Sequence, residues 1–169
     1  MSDGRAILLC YDGSDDAGTA IETAAALFPG RQAVAVCFWQ PFAQVAKRFA
    51  VSLLEVVQEA SSVNGREAAL AQQMADAGAE IANRAGMPCT GVAVEVTKPI
   101  DEAIIAYADE IDAAVTVLGA RGRSAIGSML LGDVAHDVVQ RSTRAVLLVP
   151  SPGLSGRRRS ELGSGASHV

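Results

Sequence analysis

The sequence predicts an α/β fold in which one doubly wound parallel sheet of five strands carries helices on both faces. Its 169 residues fit a single domain, and 50% of them are hydrophobic while only 4% are aromatic. Several short runs are continuously apolar, as expected of strands that are buried on both faces. These runs alternate with segments of helical periodicity, which is typical of strand–helix–strand crossovers.

The first two strands and the helix between them follow from simple patterns. The first strand is the apolar run Ile7–Tyr11, and the turn Asp12–Asp16 that follows it is rich in helix-starting residues. Pro29-Gly30 ends the helix, and Ala33–Trp39 is the second strand. The apolar residues that recur at helical spacing in this helix are Ala17, Ile21, Ala24, Ala25 and Phe28.

A long insert separates the second strand from the third. Its second part, Arg66–Ala85, is predicted to be helical. The residues expected on its apolar stripe are Leu70, Met74, Ala77, Ile81 and Ala85. The first part, Gln40–Ala60, also keeps helical spacing and is either a short helix packed on the domain or a lid or partner surface. The segment Ser61–Gly65 is predicted to be a hinge-like break between the two parts.

The rest of the chain supplies three more strands. The third strand is predicted at Val92–Val96, and Pro99 then opens a helix. The fourth strand is Val115–Leu118 and the fifth is Ala145–Val149. The domain therefore spans residues 1–150. The tail 151–169 is rich in Gly, Ser and Arg and nearly free of apolar residues, so we expect it to be disordered.

Charge and hydropathy exclude several classes of protein. The chain carries −5, and because the tail carries +2, residues 1–150 carry −7, which argues against a nucleic-acid-binding surface. No apolar stretch reaches the roughly 18 residues of a membrane span, and the N-terminus does not resemble a signal peptide. We therefore expect a soluble, cytoplasmic protein. Cys10, Cys37 and Cys89 lack metal-type spacing, and we expect them on strands as buried thiols.

A glycine-rich loop follows the fourth strand. The run Val115–Leu118 stops at Gly119, and Gly122, Gly127 and Gly132 precede another helical pattern. A buried strand that feeds such a loop is how α/β proteins hold phosphate, because glycine lets the backbone approach the ligand and the helix start attracts an anion. The spacing of Gly127 and Gly132 matches a P-loop, but the Lys that should follow is absent.

Doubly wound sheets bind ligands outside the carboxyl ends of their strands, where the strand order reverses. The first strand ends at Asp12-Gly13-Ser14, and the fourth ends at Gly119. Both turns should meet in one crevice if the first and fourth strands are neighbours.

Three segments resemble the universal stress protein family. Gly119-Ala120-Arg121-Gly122, nine further residues and Gly132 are similar to the nucleotide-binding signature of those domains. Tyr11-Asp12-Gly13-Ser14 resembles the family's first turn, and Ala145–Pro150 resembles its last strand. The resemblance covers residues 5–150. It implies a Rossmann-like sheet of strand order 3-2-1-4-5, of the adenine-nucleotide alpha-hydrolase-like type.

The resemblance also implies a stress-response protein that binds ATP or AMP, with Mg²⁺ as the nucleotide's metal. The implied nucleotide-binding residues are Tyr11, Asp12, Gly13, Ser14, Cys37, Leu118, Gly119, Arg121, Gly122, Gly132, Asp133, Val134 and Ala135. Adenine and ribose would lie near Tyr11 and Cys37, and the helix start after Gly132 would take the outer phosphates. Asp12 would accept a hydrogen bond from the nucleoside, or it serves only as a turn or capping residue of the first helix.

Asp133 departs from the family pattern, which usually has Ser or Thr at this position. Two like charges at about 4 Å and an effective dielectric of about 20 cost on the order of 4 kcal/mol. Arg121 and Arg123 would offset part of this repulsion, and Mg²⁺ bridging Asp133 to phosphate would reverse it. Alternatively, Asp133 only stabilises the helix whose first turn it occupies. We therefore expect ATP binding to be weakened or metal-dependent, and AMP-like ligands to be less affected.

The sequence names no catalytic set, so an enzyme is at most a slow ATPase. His136 and His168 lack spaced partners, and Ser14 and Ser124 lack a nucleophile-elbow context. The alternative to a nucleotide-binding module is an interaction protein of the same fold that has lost nucleotide binding. The family dimerises through its last strand, so the resemblance implies a homodimer through Ala145–Pro150, with a protein partner that the sequence does not identify.

Overall fold

The computed structural model describes residues 4–41, 53–122 and 131–150, and within 53–64 it describes the backbone only. Five parallel strands form one sheet in the order β3-β2-β1-β4-β5, as predicted. The strands are β1 (Ile7–Cys10), β2 (Ala33–Trp39), β3 (Cys89–Glu95), β4 (Val115–Gly119) and β5 (Ala145–Val149). The predicted tail and residues 42–52 lie outside the described residues.

Helices cover both faces of the sheet, which confirms the doubly wound prediction. They are α1 (Asp15–Leu27), α2 (Leu53–Arg84), α3 (Ile100–Glu110) and α4 (Asp133–Arg141). On one face, Ile21 of α1 and Ala82 of α2 pack with Leu9 of β1. On the other face, Ile104 of α3 and Val138 of α4 pack together.

The strand order reverses between β1 and β4. Leu9 of β1 pairs with Ala35 of β2 on one side and with Val117 of β4 on the other. The chain builds outward through β2 and β3, then returns to the far side of β1 to add β4 and β5. The carboxyl ends of β1 and β4 therefore lie side by side, where α/β sheets bind ligands.

Helix α2 is continuous through Ser61–Gly65, so the predicted hinge at this segment is wrong. One glycine inside a helix costs about 1 kcal/mol relative to alanine, and Ser and Asn cost less, so a long helix tolerates these residues. At 1.5 Å per residue its 32 residues extend about 48 Å. Of the predicted Gln40–Ala60 segment, residues 40–41 follow β2 and are not helical, and residues 53–60 belong to α2. The choice between a packed helix and a lid depends on residues outside the described ranges.

The face that α2 buries is shifted from the predicted stripe, of which only Ile81, against the core, and Met74, on Gly13, are partly buried. Leu70 is 62% exposed. Between residues 65 and 84 of α2, the buried residues are Ala71, Ala75, Gly78, Ala79 and Ala82. These small residues let α2 approach the sheet so closely that a Cβ on Gly91 of β3 would lie 2.7 Å from the Ala75 carbonyl carbon. The periodicity was correct, but close approach selected the alanines over the larger residues one position away.

Ion pairs join α3 to the end of α4 and the segment before β5. Arg141 pairs with Asp101 at 2.6 Å and with Glu102 at 3.2 Å, while Arg144 pairs with Asp109 at 2.6 Å and with Asp112 at 2.7 Å. The Asp101 side chain is only 11% exposed. A carboxylate so nearly buried depends on its partner, because an uncompensated buried charge is costly.

No helix within the described residues is both long and apolar enough to cross a bilayer.

Replacing Arg141 with Gln should lower the free energy of unfolding by about 1–3 kcal/mol, because it leaves Asp101 largely buried without its charged partner. The matched control is Arg84→Gln, which removes an exposed pair with Glu80 and should cost less than about 0.5 kcal/mol. Urea unfolding followed by circular dichroism measures both. Equal losses of unfolding free energy in the two variants would show that Asp101 does not depend on Arg141.

Candidate functional site

The turn after β1 is stabilised by hydrogen bonds among its own residues. Oδ1 of Asp12 accepts hydrogen bonds from the Ser14 amide at 3.0 Å and from the Ser14 hydroxyl at 2.6 Å. Ser14 is the N-cap of α1, and its Oγ accepts from the Ala17 amide at 3.2 Å. Asp12 therefore forms an Asx-type turn, which is the structural role considered for it, and Ser14 does the capping.

The loop after β4 approaches this turn through two glycines. A Cβ on Gly119 would lie 2.8 Å from the Asp16 carbonyl carbon in the first turn of α1. A Cβ on Gly122 would lie 2.8 Å from Oδ2 of Asp12. No side chain fits at either position without displacing its neighbour. These contacts bring the β1 and β4 turns together at one edge of the sheet.

Gly132 brings the start of α4 to the same place. Its amide donates to the Ala120 carbonyl at 2.8 Å, and its ideal Cβ position is 3.7 Å from the Arg121 Cα. Gly132 is the N-cap of α4, and within residues 4–41, 53–122 and 131–150 no side-chain hydrogen bond caps this end of the helix. The first amides of a helix have no partner within the helix, so Asp133, Val134 and Ala135 direct their N–H groups out of the α4 start.

The two helix starts at this edge therefore differ. The start of α1 is capped by Ser14, whereas that of α4 follows a glycine and receives no cap from the side chains that the structure describes. Backbone donors and the positive end of the helix dipole make the α4 start the better anion site of the two.

Nearby carboxylates oppose anion binding at the α4 start. Asp133 is exposed in the first turn of α4, and Asp12 lies beside Gly122. Nε of Arg121 pairs with Oδ2 of Asp16 at 3.3 Å, so this cation is already engaged with the start of α1. Burial, together with the charges of Asp12 and Asp15, raises the pKa of the Tyr11 phenol, so this group stays protonated near neutral pH.

Helix α2 forms a wall of the site that sequence reasoning missed. The Tyr11 ring packs against Gly78 of α2, where an added Cβ would lie 2.9 Å from the ring. One turn earlier, Met74 packs on Gly13, whose φ of +82° favours glycine. The contact between Met74 and Gly13 joins residues far apart in the sequence, and no local pattern indicates it.

The side chains of the other predicted site residues are less directly placed at the candidate site than those of Tyr11 and Asp12. The Leu118 side chain is 5% exposed and packs with Ile104 and Val138, so only its backbone faces the loop side. Ala135 is buried, and Val134 is 40% exposed. Cys37 stands beside Tyr11 in the register of β1 and β2, because Cys10 pairs with Val36.

Each cysteine residue is only partly buried, but the expectation of a buried thiol holds for Cys10, which packs against the core. All three lie on strands, and a residue at the end or edge of the sheet is covered from fewer sides than one at its centre. Burial nevertheless raises the pKa of the Cys10 thiol far above its usual value and that of Cys89 to about 11. In the described part of the chain, no three His, Cys, Asp or Glu residues are grouped closely enough to hold a metal ion.

A model of the universal stress protein family matches residues 4–150. The chain belongs to the universal stress protein family. No curated protein matches its sequence significantly.

Solved structures of universal stress proteins share this fold. UspA from Lactobacillus plantarum has a TM-score of 0.69 and 19% identity, with 88% of this chain and 99% of that chain covered. The Archaeoglobus fulgidus protein in complex with dAMP has a TM-score of 0.55 and 16% identity, over 86% and 97% of the two chains. A universal stress protein in complex with cAMP has a TM-score of 0.52 and 24% identity, over 86% and 96%.

Replacing Gly13 with Ala should destabilise this universal stress protein more than replacing Gly30. Both glycines have positive φ, +82° and +70°, so each variant costs about 1–2 kcal/mol from the backbone. Only Gly13 also meets a neighbour, the Met74 sulfur at 2.6 Å from an added Cβ, and because this is the end of a flexible side chain its displacement adds about 1 kcal/mol or less. Thermal and urea unfolding compare the two variants, and an equal loss of stability would show that Met74 moves aside freely.

Proposed function

We propose that this universal stress protein binds an adenine nucleotide in the crevice between the β1 turn and the β4 loop. The observation that carries the proposal is the α4 start, where none of the described side chains caps the helix and Gly132 lies against the β4 loop beside Asp12. Related family members form complexes with dAMP and cAMP, which supports an adenine nucleotide as the ligand class.

The proposed pose follows from the chemistry of each wall. Phosphate oxygens would accept from the backbone amides of Asp133, Val134 and Ala135 at the α4 start. Ribose and base would lie toward Asp12 and the level of Cys37, since a carboxylate accepts hydrogen bonds from ribose hydroxyls or a base amino group. The backbone of Gly119–Gly122 would pass close to the ligand, because the two glycines let this loop lie against the β1 turn.

The charge at Asp133 decides which nucleotide fits. An exposed carboxylate in the first turn of α4 repels the outer phosphates of ATP, and Arg121 is already paired with Asp16. A monophosphate places less charge near Asp133 than a triphosphate does. We therefore propose that AMP-type nucleotides bind without metal, whereas ATP requires Mg²⁺ to bridge its phosphates and Asp133.

The proposed role is regulatory rather than enzymatic. A nucleotide held by both the β1 turn and the α4 start would favour conformations in which these elements are fixed together. The surface offered to a protein partner would change accordingly, by population shift. The second candidate is a member of the family that acts through protein contacts alone, and the carboxylate of Asp133 at the helix start favours it.

We further propose a homodimer that forms through β5. This strand is one edge of the sheet and consists of apolar residues, Ala145–Val149. Among residues 4–41, 53–122 and 131–150, none is hydrogen-bonded to its outer edge. An apolar edge strand is a template for pairing with another chain.

Calorimetric titration of nucleotide-free protein with AMP and ATP, with chelator or with Mg²⁺, tests the nucleotide proposal. Without metal, Asp133→Ser should raise ATP affinity roughly tenfold and AMP affinity by less, because a repulsive charge is replaced by a donor. The matched control is Asp137→Ser, one turn later on α4, which should change both affinities by less than about twofold.

Two results would contradict the proposal. Equal ATP affinity of wild type and Asp133→Ser in chelator would show that Asp133 does not face the phosphates. No binding of either nucleotide up to millimolar concentration would favour the protein-interaction alternative.

Light scattering at micromolar concentration tests the dimer and should give the mass of two chains. The carbonyl of Val149 faces the β4 side, so by alternation the amide of Val146 faces outward, and Val146→Pro should give a monomer. Circular dichroism checks that the variant remains folded. A wild-type mass of one chain would refute the dimer.

A further inference from the structure

The opposite edge of the sheet, β3, directs its own backbone groups outward. The carbonyl of Pro88 and the amide of Val96, at the two ends of β3, bond to β2. Successive residues of a strand alternate in direction, so Cys89, Gly91 and Ala93 direct their N–H and C=O groups away from β2. These groups are what a further strand would pair with.

Gln72 of α2 occupies the upper part of this edge. Its Oε1 accepts from the Ala93 amide at 3.1 Å, and its Nε2 donates to the Gly91 carbonyl at 3.1 Å. Nε2 also donates to Oδ1 of Asp76 at 2.8 Å, which fixes the orientation of the amide. One side chain thus bonds both a backbone N–H and a backbone C=O of β3, as a neighbouring strand would.

Asn83 does the same at the lower part of the edge. Its Oδ1 accepts from the Cys89 amide at 3.0 Å, and its Nδ2 donates to the Cys89 carbonyl at 2.9 Å. Together the two amide side chains bond four of the eight N–H and C=O groups that alternation directs outward from β3, counting those of Glu95.

The spacing of the two amides suits this task. They are eleven residues apart, about three helical turns, so both project from one face of α2. The rise between them is about 16 Å, comparable to the roughly 13 Å from Cys89 to Ala93 along β3. The close approach of α2 at Gly91 brings both side chains within reach of the strand.

We propose that Gln72 and Asn83 form an amide clamp that closes the β3 edge against strand addition by a second copy of this chain. The partner excluded is the β3 or β5 edge of that copy. With β5 as the pairing edge, the clamp makes assembly stop at two chains, because a second open edge would allow each dimer to add further copies. This last consequence rests on the proposed β5 dimer, whereas the clamp itself does not.

The test compares the double variant Gln72→Leu/Asn83→Leu with wild type by sedimentation velocity over a range of concentrations. The double variant should form species larger than wild type that grow with concentration. The matched control is Gln73→Leu, which removes an exposed amide from the neighbouring position of α2 and should keep the wild-type mass.

The outcomes separate the clamp from the dimer. A wild-type dimer with a larger double variant supports both proposals. A wild-type monomer with a double variant that pairs supports the clamp and refutes the β5 dimer. A folded double variant with the wild-type mass at every concentration overturns the clamp.

A second measurement covers the case in which the double variant does not fold. In Gln72→Leu alone, the Ala93 amide should exchange its hydrogen about tenfold faster than in wild type, while the Leu9 amide in the central strand keeps its rate. Unchanged exchange at Ala93 would overturn the clamp.

Discussion

Close contact between backbone segments at the carboxyl edge of the sheet is the constraint on which the candidate site depends. Gly119 lies on the first turn of α1, and Gly122 lies against the Asp12 carboxylate. Larger residues there would push the β4 loop away from the β1 turn and carry the α4 start with it, because Gly132 is bonded to Ala120 of that loop. The reversal of strand order makes these ends neighbours, and the glycines let them touch.

Helix α2 likewise depends on small residues for its close contact with the other half of the sheet. Its buried alanines and its contact at Gly91 bring the helix close enough for side-chain amides to reach the β3 edge. The same helix presents Gly78 and Met74 to Tyr11 and Gly13. One helix therefore supports the β1 turn and covers part of the β3 edge.

The strand order and the meeting of the glycines could be predicted, because buried apolar runs and glycine spacing are local signals that resemble a family pattern. The face and continuity of α2 could not. Its helical period admits either the alanines or Leu70 and its neighbours, and only the distance to the sheet decides between them. Contacts such as Met74 with Gly13, or Gln72 with Ala93, join residues distant in sequence and leave no local pattern. The opposing charge of Asp133 was visible in the sequence, whereas the pairing of Arg121 with Asp16 was not.

The proposed adenine nucleotide would occupy the crevice between the β1 turn and the α4 start. Titration of ¹⁵N-labelled protein with AMP, followed by amide NMR spectra, locates the ligand. We expect the amides of Gly13, Gly122 and Ala135 to shift together with one saturation curve, while that of Cys89 on the distant edge does not shift. Shifts confined to residues outside the crevice, or none at millimolar AMP, would contradict the proposal.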